Sequence, residues 1–397
     1  MSTVTHDPMK LSYDAAVERR YAQAAVAREP ALCCPPAQYD PELLRHLPAE
    51  IIERDYGCGD PTRHVEPGER VVDLGSGSGK ACYMLSSRVG TTGRVVGVDC
   101  NDAMLALARS YQPQIAQAKG IDNVRFIKAR IQDLALDLDA VAAWLDQRPV
   151  RTLDDWAALE RECERLRTEA PAVADGSADV VISDCVLNLV NPADKQRLFT
   201  EIHRVLRPGG RAVISDIVCD EGPTPAILDD PELWSGCISG AFREDRFLAA
   251  FEEAGFYGIE ILSRAEAPWQ VIDGVEFRSV TLRAFKGKEG PCLERNQAVI
   301  YKGPFSSVRD DDGHTLLRGR PMAVCDKTFR IMTDPGGPYA GHIAAVPPRI
   351  ETPADEAEPF NCRGGAAAVR DPRQTKGAGY RETVEAEGPC CGPDGGC

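Results

Sequence analysis

The sequence predicts an α/β fold: a doubly wound parallel sheet, a small C-terminal antiparallel α+β unit, and a disordered tail. Three observations carry this. Five short apolar runs between residues 70 and 216 alternate with segments of helical spacing, the pattern of a parallel sheet covered on both faces. A glycine-rich turn, Gly75-Ser76-Gly77-Ser78-Gly79, follows the first run. From about residue 334 onward Pro, Gly, Ala and charge dominate, a composition with too little apolar surface to fold.

The elements follow in order. Residues 1–65 form a helical lead-in with loops: 15–27 is alanine-rich, Cys33-Cys34-Pro35-Pro36 is a loop, and 42–53 has helical spacing. The turn Tyr56-Gly57-Cys58-Gly59-Asp60-Pro61 closes it. Strands are expected at 70–74, 93–99, 123–128, 179–184 and 211–216, with helices at 80–89, 102–119 and 194–206. Residues 134–177 form a long insert, read as a surface helical pair whose charged run, 160–165, faces solvent. A helix at 244–254 precedes strand-like pieces at 259–263, 277–286 and 296–302, expected to make the small antiparallel unit. The predicted division is 1–65, a main domain 66–260, a β-rich domain 261–333, and a tail 334–397.

Bulk properties narrow the function. The chain has 397 residues, 43% of them hydrophobic, enough for two domains with real cores. Its formal net charge of −15 disfavours nucleic acid and anionic membranes as partners. No apolar run is long enough to span a bilayer, and the N-terminus lacks the basic start and apolar core of a secretion signal. The cytoplasm is the expected location, with a monomer as the default. Fifteen cysteines, an odd number, in so large a chain fit a disulfide framework poorly; they fit thiols kept reduced for a soft ligand or redox chemistry. None of the six histidines pairs with an acid and a nucleophile at motif spacing, so hydrolase triads gain no support.

The glycine turn is the first chemical signal. Glycine permits positive φ and close approach of backbone to a ligand, and N–H groups at a helix start favour polar or anionic groups. The spacing is G-x-G-x-G, not the dinucleotide G-x-G-x-x-G. The run opens on Asp73, an acid that suits a ligand with a cationic amine better than a pyrophosphate. Asp99 ends the second strand, where an acid accepts hydrogen bonds from ribose hydroxyls in nucleotide-binding α/β folds. These residues resemble the class I S-adenosylmethionine methyltransferases. That resemblance implies S-adenosylmethionine as cofactor, with Asp73, Gly75, Ser76, Gly77, Gly79 and Asp99 around it. Ile131 and Gln132 would flank the adenine, and Cys100, Met104 and Asp184 would complete the lining.

The second signal is a set of thiols. Cys185 follows the fourth strand, Cys237 lies in the connection after the fifth, and Cys58 sits in a glycine-flanked loop before the first. Ligands of open α/β sheets bind outside the carboxyl ends of the strands, so these thiols belong on the donor's side. Three thiolates suit a thiophilic centre such as trivalent arsenic, whose lone pair can attack a sulfonium methyl without a general base. Zinc is the competing centre, but it usually takes four ligands, often from Cys-x-x-Cys pairs, and the catalytic region has none.

Several segments resemble the arsenite methyltransferase family: Tyr56-Gly57-Cys58-Gly59, residues 73–79 with Cys82-Tyr83, residues 183–189, residues 233–241 around Cys237, residues 277–286 and 298–301, and the cysteine-rich C-terminus. The resemblance implies that Cys58, Cys185 and Cys237 bind the arsenical, that Cys33 or Cys34 takes part in early binding or disulfide exchange, that thioredoxin or glutathione resets the thiols, and that the activity serves arsenic detoxification. Asp184 stands where the family commonly has Asn. Two other readings remain open: a methyltransferase for another small molecule, and a metalloid-binding protein without turnover. Cys82 is expected to pack in its helix, Trp234 to wall the thiols or fill core, and Cys163, Cys219, Cys292 and Cys325 to have no partners. Cys390, Cys391 and Cys397 either carry metalloid or are dispensable.

Overall fold

The computed structural model describes residues 13–29, 32, 39–362 and 369–377. It has two compact units, Met1–Gly287 and Lys288–Cys397.

The first unit is built on one mixed sheet. Its strands are β1 (Arg70–Leu74), β2 (Arg94–Asp99), β3 (Val124–Lys128), β4 (Ala178–Asp184), β5 (Leu206–Cys219), β6 (Phe242–Arg243), β7 (Tyr257–Arg264), β8 (Gln270–Ile272) and β9 (Val275–Phe285). The order is β3-β2-β1-β4-β5-β9-β7, with β6 on β5 and β8 on β9. The first five strands pair in parallel. They are Val- and Ile-rich and buried on both faces, as helices on either side of a parallel sheet require. The strand order reverses at β1, leaving a crevice at its carboxyl end.

Helices Lys80–Val89 and Asp102–Lys119 follow β1 and β2 at the expected places. The second starts at Asn101, whose side chain accepts from the N–H groups of Ala103 and Met104, and stops at Gly120 with φ 67°. The insert is indeed a helical pair, Leu138–Gln147 and Leu153–Glu169. Val173 and Ala172 N–H groups donate to the Leu134 and Ala135 carbonyls at 2.9 and 3.0 Å, closing its base.

Several boundaries differ from the sequence expectation. Segments 259–263 and 277–286 do not form a separate unit. They belong to β7 and β9, and β9 runs antiparallel along β5 from Arg211↔Phe285 to Cys219↔Phe277. Val280, Leu282 and Ala284 on one face and Phe277 and Phe285 on the other are all buried, so this strand needs cover on both sides. The division expected at 260 falls at Gly287. Residues 1–65 are likewise no independent segment: helix Tyr13–Val26 docks through Arg20, which donates to Glu232 O and Ser235 Oγ, both at 2.9 Å. The helix expected at 42–53 is two, Pro41–Leu44 and Ala49–Glu53, because Pro48 lacks an N–H and disfavours helical Leu47 before it.

In the second unit, β10 (Ala298–Tyr301) pairs antiparallel with β13 (Pro321–Ala323) and β14 (Ile343–Val346), and β11 (Ser307–Arg309) with β12 (Thr315–Leu317). Val299, Tyr301, Met322, Val324 and Met332 fill its core, the last from helix Asp326–Thr333. β14 lies beyond residue 334, so that stretch is not wholly structureless as expected. Among the described residues no helix is long and apolar enough to cross a membrane.

Candidate functional site

A cavity of about 330 Å³ opens at the carboxyl ends of β1, β2 and β4. Most of the residues expected around a donor line it. Asp73, Gly75, Ser76 and Gly77 come from the first loop; Asp99, Cys100 and Met104 follow β2; Ile131 and Gln132 follow β3; Asp184 and Cys185 follow β4. Gly79 does not line it. Gly79 has φ 84° and starts helix Lys80–Val89, and a Cβ there would lie 2.7 Å from the Phe126 ring. Its role is the turn itself.

The loop is held open by its own backbone. Gly75 and Ser76 N–H groups donate to Val98 O at 2.8 and 3.0 Å. The Asp99 carboxylate accepts from Gly77 N–H at 2.9 Å and Asn101 N–H at 2.8 Å. At Gly75 (φ 70°) a Cβ would strike Val186 at 2.4 Å, whereas at Gly77 (φ 50°) nothing but Gly75 O stands within 4.0 Å. The Ser76 hydroxyl is buried yet has no hydrogen-bond partner among the described residues, an orphan that a bound ligand would satisfy.

The electrostatics select a cation. Seven carboxylates line the cavity against four cationic side chains. Burial pushes Asp73 up to about 7, even though the Cys82 thiol donates to it at 3.2 Å. Burial also holds Asp99 above the usual carboxylate range. A positively charged ligand would relieve both.

The three expected thiols converge beside this cavity. Cys58, Cys185 and Cys237 are buried in one apolar cluster with Ile217, Ile238 and Phe277. Cys237 Sγ donates to Cys185 O at 3.1 Å. Cys58 and Cys185 are joined as a disulfide, with Cα atoms 5.8 Å apart. Three free thiolates, the arrangement expected from sequence, therefore require reduction of this bond. Cys185 and Cys237 both adopt positive φ, 61° and 64°, a conformation that costs a side-chain-bearing residue about 1–2 kcal/mol. Cys33 and Cys34 lie outside the described residues.

Polar groups hold the thiols in place, most of them, unlike Asp184, not anticipated from sequence. The Asp184 carboxylate accepts from Cys58 and Gly59 N–H at 2.8 and 3.0 Å, fixing the Cys58 loop on the sheet edge. Gly57 permits this close approach, since a Cβ there would fall 2.0 Å from Asp184 Oδ2 and displace the carboxylate. Burial, then nearby Asp55, pushes the Asp184 carboxyl well above its ordinary range. Asn188 donates to Asp216 Oδ1 at 2.8 Å, Ile217 O at 2.7 Å and Cys237 O at 3.4 Å. Asp216 Oδ2 in turn accepts from Leu187 N–H at 2.9 Å. Tyr21 lines the cavity and its hydroxyl lies 4.0 Å from Cys237 Sγ, so one side chain spans both halves. Tyr39 and Lys80 also line the cavity, the ammonium 3.8 Å above the ring and paired with Asp55. Gly57, Asp184 and Asn188 stand in segments the sequence already marks, whereas Asp216, Tyr21, Tyr39 and Lys80 stand outside them. Leu138, at the start of the insert, reaches the mouth as well.

Not every cysteine joins the site. Cys82 packs in its helix as expected. Cys219 is in the apolar cluster, but its thiol donates to Ala241 O at 3.8 Å. Trp234 is buried and donates to Leu189 O at 3.4 Å.

A family profile described as "Methyltransferase domain" matches residues 65–170 and 163–255, the two stretches overlapping inside the insert. The second unit matches a "Domain of unknown function (DUF8838)" over residues 288–380. Among curated proteins, the chain is 32% identical to an arsenite methyltransferase of Aquipseudomonas alcaligenes, over 76% of this chain and 81% of that one. It is 27% identical to the arsenite methyltransferase of Mus musculus, over 91% of this chain and 90% of that one. Among solved structures it resembles an arsenic (III) S-adenosylmethionine methyltransferase from Chlamydomonas reinhardtii, with a TM-score of 0.51 and 27% identity, covering 84% of this chain and all of that one. At nearly one residue in three over four-fifths of the bacterial relative, this chain belongs to the arsenite methyltransferase family.

Proposed function

We propose that this chain transfers the methyl group of S-adenosylmethionine to trivalent arsenic held by Cys58, Cys185 and Cys237. The observation that carries it is that Cys185 belongs both to the cavity wall and to the thiol cluster. Acceptor and donor sites therefore share a residue.

The cavity fits the donor by its excess of carboxylates and by the orphaned Ser76 hydroxyl. Asp73 would hold the ammonium group and Asp99 the ribose hydroxyls. Gly75, Ser76 and Gly77 would let the backbone approach closely. Ile131 and Gln132 would flank the adenine, with Cys100, Met104 and Asp184 on the remaining wall. S-adenosylmethionine, when bound, supplies an electrophilic sulfonium methyl.

The thiols act on the substrate. Condensation with arsenous acid exchanges three As–O bonds for three As–S bonds and releases three waters. Arsenic keeps its lone pair, which is the nucleophile, so the protein need supply no general base. It supplies alignment: Asp184 holds the Cys58 loop, and Asn188 with Asp216 holds the turns that carry Cys185 and Cys237. The Cys58–Cys185 disulfide must first take two electrons and two protons from an external thiol of the thioredoxin or glutathione class, with Cys33 or Cys34 as exchange partners. We assign the working enzyme to a reducing compartment, the cytoplasm, where the pair stays as thiols.

Incubation of the reduced protein with arsenite and donor, with arsenic speciation by mass, tests this. Methylated arsenicals are expected only when reductant is present. Full activity in Cys185→Ser would overturn the thiol assignment.

A further inference from the structure

Among the described residues, the second unit contains three more thiols that the chemistry above does not use. Cys292, Cys325 and Cys362 come from three separate stretches, yet their sulfur atoms all lie within 4.8 Å of one another. All three are free cysteines. The backbone brings them together. Phe360 N–H donates to Cys292 O, and Glu294 N–H to Glu358 O, each at 2.8 Å, around the bridge Leu293↔Pro359. This short antiparallel ladder sets Cys292 against the turn that carries Cys362. Asp326 N–H donates to Leu293 O at 2.9 Å, tying the start of helix Asp326–Thr333 to the same ladder. Cys325 caps that helix. Its sulfur accepts from Thr328 N–H at 3.4 Å and lies 3.2 Å from Thr328 Oγ1, contacts that favour a thiolate. Cys325 is buried, while Cys292 and Cys362 are half-buried, so the cluster is open to small solutes on one side.

We propose that Cys292, Cys325 and Cys362 form a second binding site for arsenite. Three soft donors converge, and among the described residues no histidine or carboxylate joins the group. A zinc site would usually call on a fourth ligand; a pyramidal trivalent centre needs three. Binding is a condensation without redox change: three S–H and three As–OH bonds break, three As–S bonds form, and three waters leave. Each methyl group on arsenic removes one exchangeable hydroxyl. Monomethylated trivalent arsenic can therefore engage only two of these thiols, and the dimethylated form one. The site thus discriminates unmethylated substrate from product by valence alone.

The test uses the full-length reduced chain carrying Cys58→Ser and Cys185→Ser, so that its outcome is independent of the turnover site. The protein is treated with arsenite, monomethylarsenite or zinc, then alkylated, and modification is mapped by peptide mass. Arsenite is expected to protect Cys292, Cys325 and Cys362 together. Monomethylarsenite is expected to leave one of the three open. Cys362→Ser should weaken protection of the remaining pair by arsenite ~100-fold, as loss of one arm of a chelate does. Unchanged alkylation of the three thiols in arsenite overturns the proposal. So does zinc that co-purifies with the chain and holds the same thiols at arsenite concentrations that saturate the turnover site of the unmutated chain.

Discussion

Two clusters of three cysteines stand among the described residues, and they are held in opposite ways. Cys292, Cys325 and Cys362 rest on a short ladder and a helix cap; none of them adopts a left-handed backbone. Cys185 and Cys237 both do, at φ 61° and 64°, and they hang on a buried polar network of Asn188, Asp216 and Asp184. One cluster borders a cavity walled by carboxylates. Three convergent sulfurs suffice for capture. The proposed turnover requires in addition that a thiol share a wall with the donor, and the left-handed backbone at Cys185 is what sets that thiol at the cavity wall.

The contrast can be broken most sharply at Cys185. Cys185→Ser is expected to lower methylation by ~10³-fold or more, with donor binding by calorimetry intact and arsenite protection of Cys292, Cys325 and Cys362 retained. If protection of that second set disappears too, the clusters are not independent. Next in size is Gly240→Ala. Its Cβ would fall 1.9 Å from Asn188 O, and overpacking of this kind costs ~3 kcal/mol. Thermal unfolding should show the loss, with methylation falling alongside it.

Asp73→Asn should weaken donor binding by ~10- to 100-fold, the worth of a charge-assisted contact. Because burial sets Asp73 at about 7, donor affinity in the native chain should rise as pH increases through 7, with proton release on binding. Stability should move the other way. The folded carboxyl holds its proton at pH values where the unfolded one, near 3.8, has lost it. Its contribution is largest below that lower value and is lost as pH rises toward 7. Asp73→Asn should flatten this part of the pH–stability curve. The smallest expected effect is that of Asp184→Asn. The amide oxygen can still accept from Cys58 and Gly59 N–H, and burial already disfavours a charge on this carboxyl, so alkylation of reduced Cys185 at neutral pH should change by less than about threefold.

Much of the fold is readable because its signals are local. Val71, Val72 and Leu74 make a short apolar run, broken by Asp73, that meets three glycines, so strand, loop and helix boundaries near residues 70–89 are written into consecutive residues. Residues 277–286 show the limit. Their pattern identifies a strand, but pairing with β5 is a long-range choice that no local spacing encodes. The donor wall follows the same division. Asp73 and Asp99 are legible from position at strand ends, whereas Tyr21 and Lys80 reach the cavity from a lead-in helix and through an ion pair. Cys292 and Cys325 look solitary in sequence, because only a ladder closing 292–294 on 358–360 makes them neighbours.

The Cys58–Cys185 bond has one more consequence. It links residues 127 apart and so turns β1 through β4, the glycine loop and the insert into a covalent ring. A cross-link of that span restricts the unfolded chain by about 5 kcal/mol at 25 °C on the loop-entropy account. On the proposed thiol chemistry, oxidation of this pair idles the molecule and simultaneously makes it harder to melt. Dormancy and durability are then the same chemical event, undone by the same two electrons that return the enzyme to work.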